Sequence, residues 1–158
     1  TAPRESALAS IISRPFTALA ATALIQVTLV YTWGLTGFGK LFGGGVPEWF
    51  TKGFGETFLA KFPGMSVSYF SIALLEALAA VVAAVALITG EALPRKAKPF
   101  TRLAIILSMV LFAQLGFGKR LIADHEGAHD LFVYFGISLV MLLAVEYFDM
   151  LRTQAKRA

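Results

Sequence analysis

Residues Val67 to Thr89 read VSYFSIALLEALAAVVAAVALIT, a run broken by a single charged side chain, Glu76. A helix of about 20 residues, rising 1.5 Å per residue, crosses the hydrocarbon layer of a membrane. This run satisfies that length with ease and reads as a spanning helix. The rest of the chain agrees: 57% of residues are hydrophobic, only 15% are charged, and the mean hydropathy is +0.72. An ordinary soluble domain carries about 25% charged residues, and one this small lacks the interior to hide so much apolar side chain. With no cysteine present, disulfides and thiolate metal sites are excluded.

Three further apolar runs lie at Phe16–Phe38, Leu103–Phe117 and Leu131–Phe148. The expected fold is all-α, an integral membrane four-helix bundle forming a single domain, with spanning helices at about 16–40, 67–90, 101–119 and 130–150. The first run is longer than the 7–15 apolar residues of a signal peptide and reads as a retained span. Basic residues sort by side. Arg4, Arg14, Arg95, Lys96, Lys98, Arg102, Arg152, Lys156 and Arg157 fall on one side of the expected bundle, nine against five for Lys40, Lys52, Lys61, Lys119 and Arg120. The positive-inside rule then places both termini in the cytoplasm of a bacterial inner membrane. The net charge of +4 is read as setting orientation, not as a nucleic-acid surface.

The connection between the first two spans is long and aromatic. Phe50, Phe54, Phe58 and Phe62 recur every four residues, which stacks them on one helical face. With Pro47 suited to a first turn and Phe62-Pro63-Gly64 as a stop, the spacing predicts an outer interfacial amphipathic helix over about 47–62, with Trp49 at headgroup depth. The tetrapeptide GFGK closes the first span at Gly37–Lys40 and the third at Gly116–Lys119, 79 residues later. Two parallel helical hairpins would carry such a repeat. Glycine at a helix end and a snorkelling lysine account for it equally well.

Glu76 lies far inside its run, where an uncompensated charge costs several kcal/mol. It reads as a functional group or as half of a structural pair, and Lys40 on the preceding span is the partner within reach. Gln26 and Gln114 are polar residues in spanning runs that need partners from neighbouring helices. Glu146 and Asp149 sit beside Arg152 and read as an edge salt bridge. The motif HEGAH, His125–His129, matches the spacing of a zinc-protease helix, but it falls in an expected connection with no third ligand beyond Asp124 or Asp130, so no metal site is assigned.

The order GLTGFGKLF, a proline- and glycine-bearing loop, ALLEALAAVVAAVALITG with its embedded Glu76, a basic turn and FTRLAIILSMVLFAQ resembles the DoxX family of small four-helix bacterial membrane proteins, over about residues 17–150. The last helix, ending AVEYFDMLR, departs from that pattern. The resemblance implies a four-helix bundle and, through the DoxD-like branch, a link to quinone as the large subunit of a thiosulfate:quinone oxidoreductase. By match to the family pattern, Lys40 and Glu76 carry over. Lys40, Glu76, Trp33 and Gln114 form the candidate quinone-holding or buried polar site. No covalently bound cofactor is expected; quinone and bound lipid are the candidate ligands, and membrane lipids and a larger protein complex the expected partners. Two functions stand side by side: an accessory subunit of a respiratory or quinone-linked complex without its own redox centre, and a quinone-binding subunit. A small transporter ranks third, because four helices leave little room for a gated path.

Overall fold

The computed structural model describes residues 14–155, and among them every regular element is helical. The chain forms α1 (Arg14–Phe42), α2 (Glu48–Phe54), α3 (Met65–Ile88), α4 (Pro99–Leu121) and α5 (His125–Ala155), with one 3-10 turn at Phe58–Ala60. Helices α1, α3, α4 and α5 are each long and apolar enough to cross a membrane. The chain is a multi-pass membrane protein built as a four-helix bundle. The third and fourth spans run past their expected limits: α4 starts at Pro99, whose missing N–H suits a first turn, and α5 takes in the HEGAH motif.

Two antiparallel hairpins make the bundle. Helix α1 packs along α3, α4 packs along α5, and the hairpins join through α3 and α4, while α1 and α5 meet only marginally. The core holds Leu29, Trp33, Ala79, Ala80, Ala83, Ala104, Ile105, Leu111 and Val145. Four of the nine are alanine, which suits spanning helices that associate through close van der Waals packing and not through water exclusion. The tightest approach is at Gly37, where an added Cβ would run into the Ala77 nitrogen and stand 2.9 Å from the Glu76 carbonyl carbon.

The two GFGK copies hold the same inward register. Thr22, Gln26, Leu29 and Gly37 of α1 are buried, and so are Thr101, Ile105, Ser108 and Gly116, the residues 79 positions later on α4. The remaining pair in this register, Trp33 and Phe112, pack against each other at a tilt, with centroids 4.9 Å apart. The connections are unequal. Residues 43–64 link α1 to α3, whereas 122–124 suffice between α4 and α5.

The outer segment departs from the expected single helix. Helix α2 stops at Phe54, Thr57 turns back onto the Phe54 carbonyl, and the 3-10 turn follows. Gly53 and Gly55 are poor helix formers and lie where the 47–62 helix would have to continue. The phenylalanine stripe is therefore split. Phe50 and Phe54 are buried with Tyr69, and Phe58 and Phe62 are exposed. Trp49 is exposed as well. Phe54 also rests on Gly118 of the second GFGK, 3.6 Å from where a Cβ would be.

Substituting Gly37→Ala is expected to lower detergent-solubilised stability by about 1–3 kcal/mol, because backbone is what the new methyl meets. Gly39→Ala, two residues on, meets nothing within 4 Å and should leave the thermal unfolding midpoint unchanged. Equal midpoints for the two variants would reject the close crossing.

Candidate functional site: a polar seam through the bundle

Gln26, Trp33 and Lys40 are spaced seven residues apart on α1, which puts them on one face at intervals of roughly 10 Å. Each reaches a different helix or residue of the interior. Gln26 Nε2 donates to Thr101 Oγ1 at 2.8 Å, Trp33 Nε1 donates to Ser108 Oγ at 2.7 Å, and Lys40 Nζ donates to Glu76 Oε1 at 2.6 Å. Thr101 and Ser108 are themselves seven apart on α4. The bundle therefore carries a polar seam of three rungs inside an otherwise apolar interior.

The Lys40–Glu76 rung is the charged one. Glu76 is 1% exposed, eleven residues below the start of α3, and Lys40 is 24% exposed. Gly37 lets α1 lie against the Glu76 backbone, and Lys40, three residues on, turns back to the carboxylate. Such proximity compensates a charge that would otherwise be costly at this depth. Glu76 Oε2 receives no hydrogen bond from any described residue, nor does Gln26 Oε1. Each retains the capacity to accept a proton donor such as water or a hydroxyl.

At the opposite end, the seam is anchored by Glu91, which sequence reasoning did not single out. Its carboxylate accepts the Phe100 N–H at 3.0 Å, the Thr101 N–H at 2.8 Å and the Thr101 hydroxyl at 2.7 Å. These are orphan donors of the first turn of α4, and a negative charge is favoured there. Lys98, 2% exposed, donates to the carbonyls of Glu91, Leu93 and Lys96. Lys96 donates to the Thr89 carbonyl just past α3. The available signal was a lone acid in a basic turn, ahead of a helix that opens on proline.

Of the four candidate site residues, the structure brings Lys40 and Glu76 into contact and sets Trp33 two turns away on the same face. Gln114 is exposed on the far side of α4 and does not join them. Trp33 and Phe112 instead form the floor of a cleft of about 450 Å³ between α1 and α5, lined also by Thr28, Thr32, Tyr134, Ser138 and Met141. The cleft exists because the two outer helices do not close on each other. Phe112 and Tyr134 extend its aromatic wall, with centroids 5.6 Å apart.

Two peripheral charged groups complete the picture. Arg102 on α4 bonds Glu146 and Asp149 on α5, so the described partner of those acids is Arg102; the side chain of Arg152 lies outside the described residues. The second GFGK lysine, Lys119, bonds Asp124 at 2.7 Å. Asp124 also accepts the Gly127 N–H at 2.9 Å and so caps α5. His125 and His129 are exposed on the first turns of this helix, not in a free loop, and no group of three metal-binding side chains forms among the described residues.

Taken together, the fold and seam define a four-span membrane bundle clasped by an intramembrane lysine–glutamate pair. No protein-family model, curated protein or solved structure matches the chain.

In a double-mutant cycle on Lys40→Met and Glu76→Gln, the lysine variant alone should lose roughly 3 kcal/mol of stability by stranding the carboxylate, and the double variant should lose less. Additive losses would reject coupling. Asp124 yields a pH prediction. The Lys119 hydrogen bond first, then the Gly127 N–H, hold its carboxyl below the ordinary range. Its contribution is full above the unfolded value near 4 and disappears as pH falls through the lower folded value. Thermal midpoints of the native chain and Asp124→Asn should therefore differ between about pH 5 and 7 and converge in more acidic solution.

Proposed function

We propose that this chain is an accessory subunit of a larger membrane complex, respiratory or quinone-linked, with no redox centre of its own. Helix α5 carries the argument. Its fully buried described residues are only Ala128, Ser138 and Val145, while Phe132, Val133, Ile137, Val140, Leu143 and Tyr147 are exposed. A helix that is apolar all round suits a lipid surface or a larger protein interior. The stretch 131–145 of this helix is free of charge and provides the broad contact that an accessory subunit needs. The polar groups of the seam, meanwhile, are engaged largely with one another, as befits a scaffold. The excess of basic residues around the 91–98 turn supports placement of that turn, and of both termini, in the cytoplasm of a bacterial inner membrane.

A second reading follows from the cleft. An aromatic floor of Trp33 and Phe112, with the hydroxyls of Thr28, Thr32, Tyr134 and Ser138 nearby, has the shape and chemistry for a planar ring on an apolar tail. In that case the chain is a quinone-binding subunit of the DoxD-like kind, and the electrons come from a partner.

A photo-crosslinking residue placed at Val140 or Leu143 should capture a second protein in native membranes, whereas one at Val145 should not. Capture of lipid alone at the outward positions sinks the accessory reading. For the second reading, a chain carrying Trp49→Phe leaves Trp33 as the sole tryptophan; a short-chain quinone should then quench its fluorescence saturably, and Phe112→Ala should weaken that quenching. Single cysteines at Arg95 and His125 should be labelled from opposite membrane faces.

A further inference from the structure

Helix α4 turns a stripe of Leu103, Ile106, Val110, Gln114 and Phe117 away from the bundle, and all five are exposed. Their spacing of three, four, four and three residues follows one helical face. Four are apolar, as a lipid-facing stripe should be. Gln114 is not. It lies twelve residues above Arg102 and five below Lys119, about 7 Å beneath the charged edge, and therefore within the hydrocarbon. Hydroxyls in the spans can return a proton to their own helix, as Thr36 and Ser71 do. Gln114 has two donors and an acceptor and no hydrogen bond to any described residue. Facing lipid, those groups go unsatisfied at a cost of several kcal/mol.

We propose that this α4 stripe is a homodimer interface, occupied by a second copy of the same chain. Two copies of a membrane protein insert with the same orientation, so a two-fold axis relating them runs along the membrane normal. A residue near that axis meets its own counterpart at its own depth. Lysine or glutamate there would repel itself. A glutamine amide donates and accepts at once, so Gln114 of each copy satisfies the other, and the flanking Val110 and Phe117 supply apolar contact above and below. The interface is distinct from the exposed face of α5 on which the accessory-subunit reading rests, and it stands whether or not that reading does.

The absence of cysteine from the chain makes the test direct. Single cysteines at Val110 and Phe117 of α4, and as controls at Leu78 of α3 and Leu143 of α5, are introduced into the full chain, reconstituted in phosphatidylcholine bilayers at high lipid dilution and oxidised. Disulfide-linked dimer is expected at Val110 and Phe117 well above both controls. Adding Gln114→Leu to the Val110 variant should reduce dimer association roughly three- to tenfold, and Gln114→Asn, equally self-complementary, should retain most of it. Circular dichroism confirms that each variant keeps its helices. Equal crosslinking at Leu78, an unchanged dimer with Gln114→Leu, or a folded chain that stays monomeric would each overturn the proposal. So would native-membrane crosslinks from Val110 that reach only a different protein.

Discussion

The approach of α1 to α3 at Gly37 is the constraint on which the rest of the bundle depends. Glycine brings the two backbones close enough for Lys40, one turn on, to reach the Glu76 carboxylate at 2.6 Å. A carboxylate at that depth requires a compensating charge, and a lysine near the end of the neighbouring span supplies one while remaining partly exposed. The pair sets the register of the first hairpin. The same face of α1 meets α4 through Trp33 on Ser108 and Gln26 on Thr101, so one helix face carries the ion pair to α3 and both neutral rungs to α4.

The second hairpin repeats the plan with different chemistry. Gly116 again opens a close approach, this time to Phe132 and Leu131, and Lys119 again binds an acid. That acid is Asp124, five residues along the chain, where it caps α5 at the surface. The two hairpins share an inward register and differ in their partners and connections, an aromatic outer segment in the first and a three-residue link in the second. The longer connection is itself tied to the second half of the chain, because Phe54 packs over Gly118.

Rigidity and exposure are distributed unevenly across the molecule. Helix α3 is central, with alanines on its buried faces. Helices α1 and α5 stand at the margins and leave the cleft between them. The bundle satisfies its deep charge internally through Lys40 and Glu76, so its outward surfaces are left to meet lipid, ligand or protein. Gln114 places an amide on that outer surface, and an amide among aliphatic neighbours is a different kind of signal from a charge in the core.

Hydrophobic run length by itself determined the four spans, because crossing a bilayer requires about 20 apolar residues and tolerates little else. The depth of Glu76 and the position of Lys40 likewise made their pairing legible, since an isolated charge has few affordable partners there. Helix ends were less legible: α5 absorbs HEGAH because Asp124 caps it, and the phenylalanine spacing of 50, 54, 58 and 62 was overridden by Gly53, Gly55 and the Thr57 turn. Only tertiary structure decided which polar residue faced which way. Gln26 and Gln114 are the same residue type in similar apolar runs, yet one is fully buried against Thr101 and the other is exposed. Run length measures the cost of leaving water; the facing of a side chain depends on the rotation of each helix about its axis, which is set by contacts such as Gly37 on Ala77 that involve residues far apart in the chain.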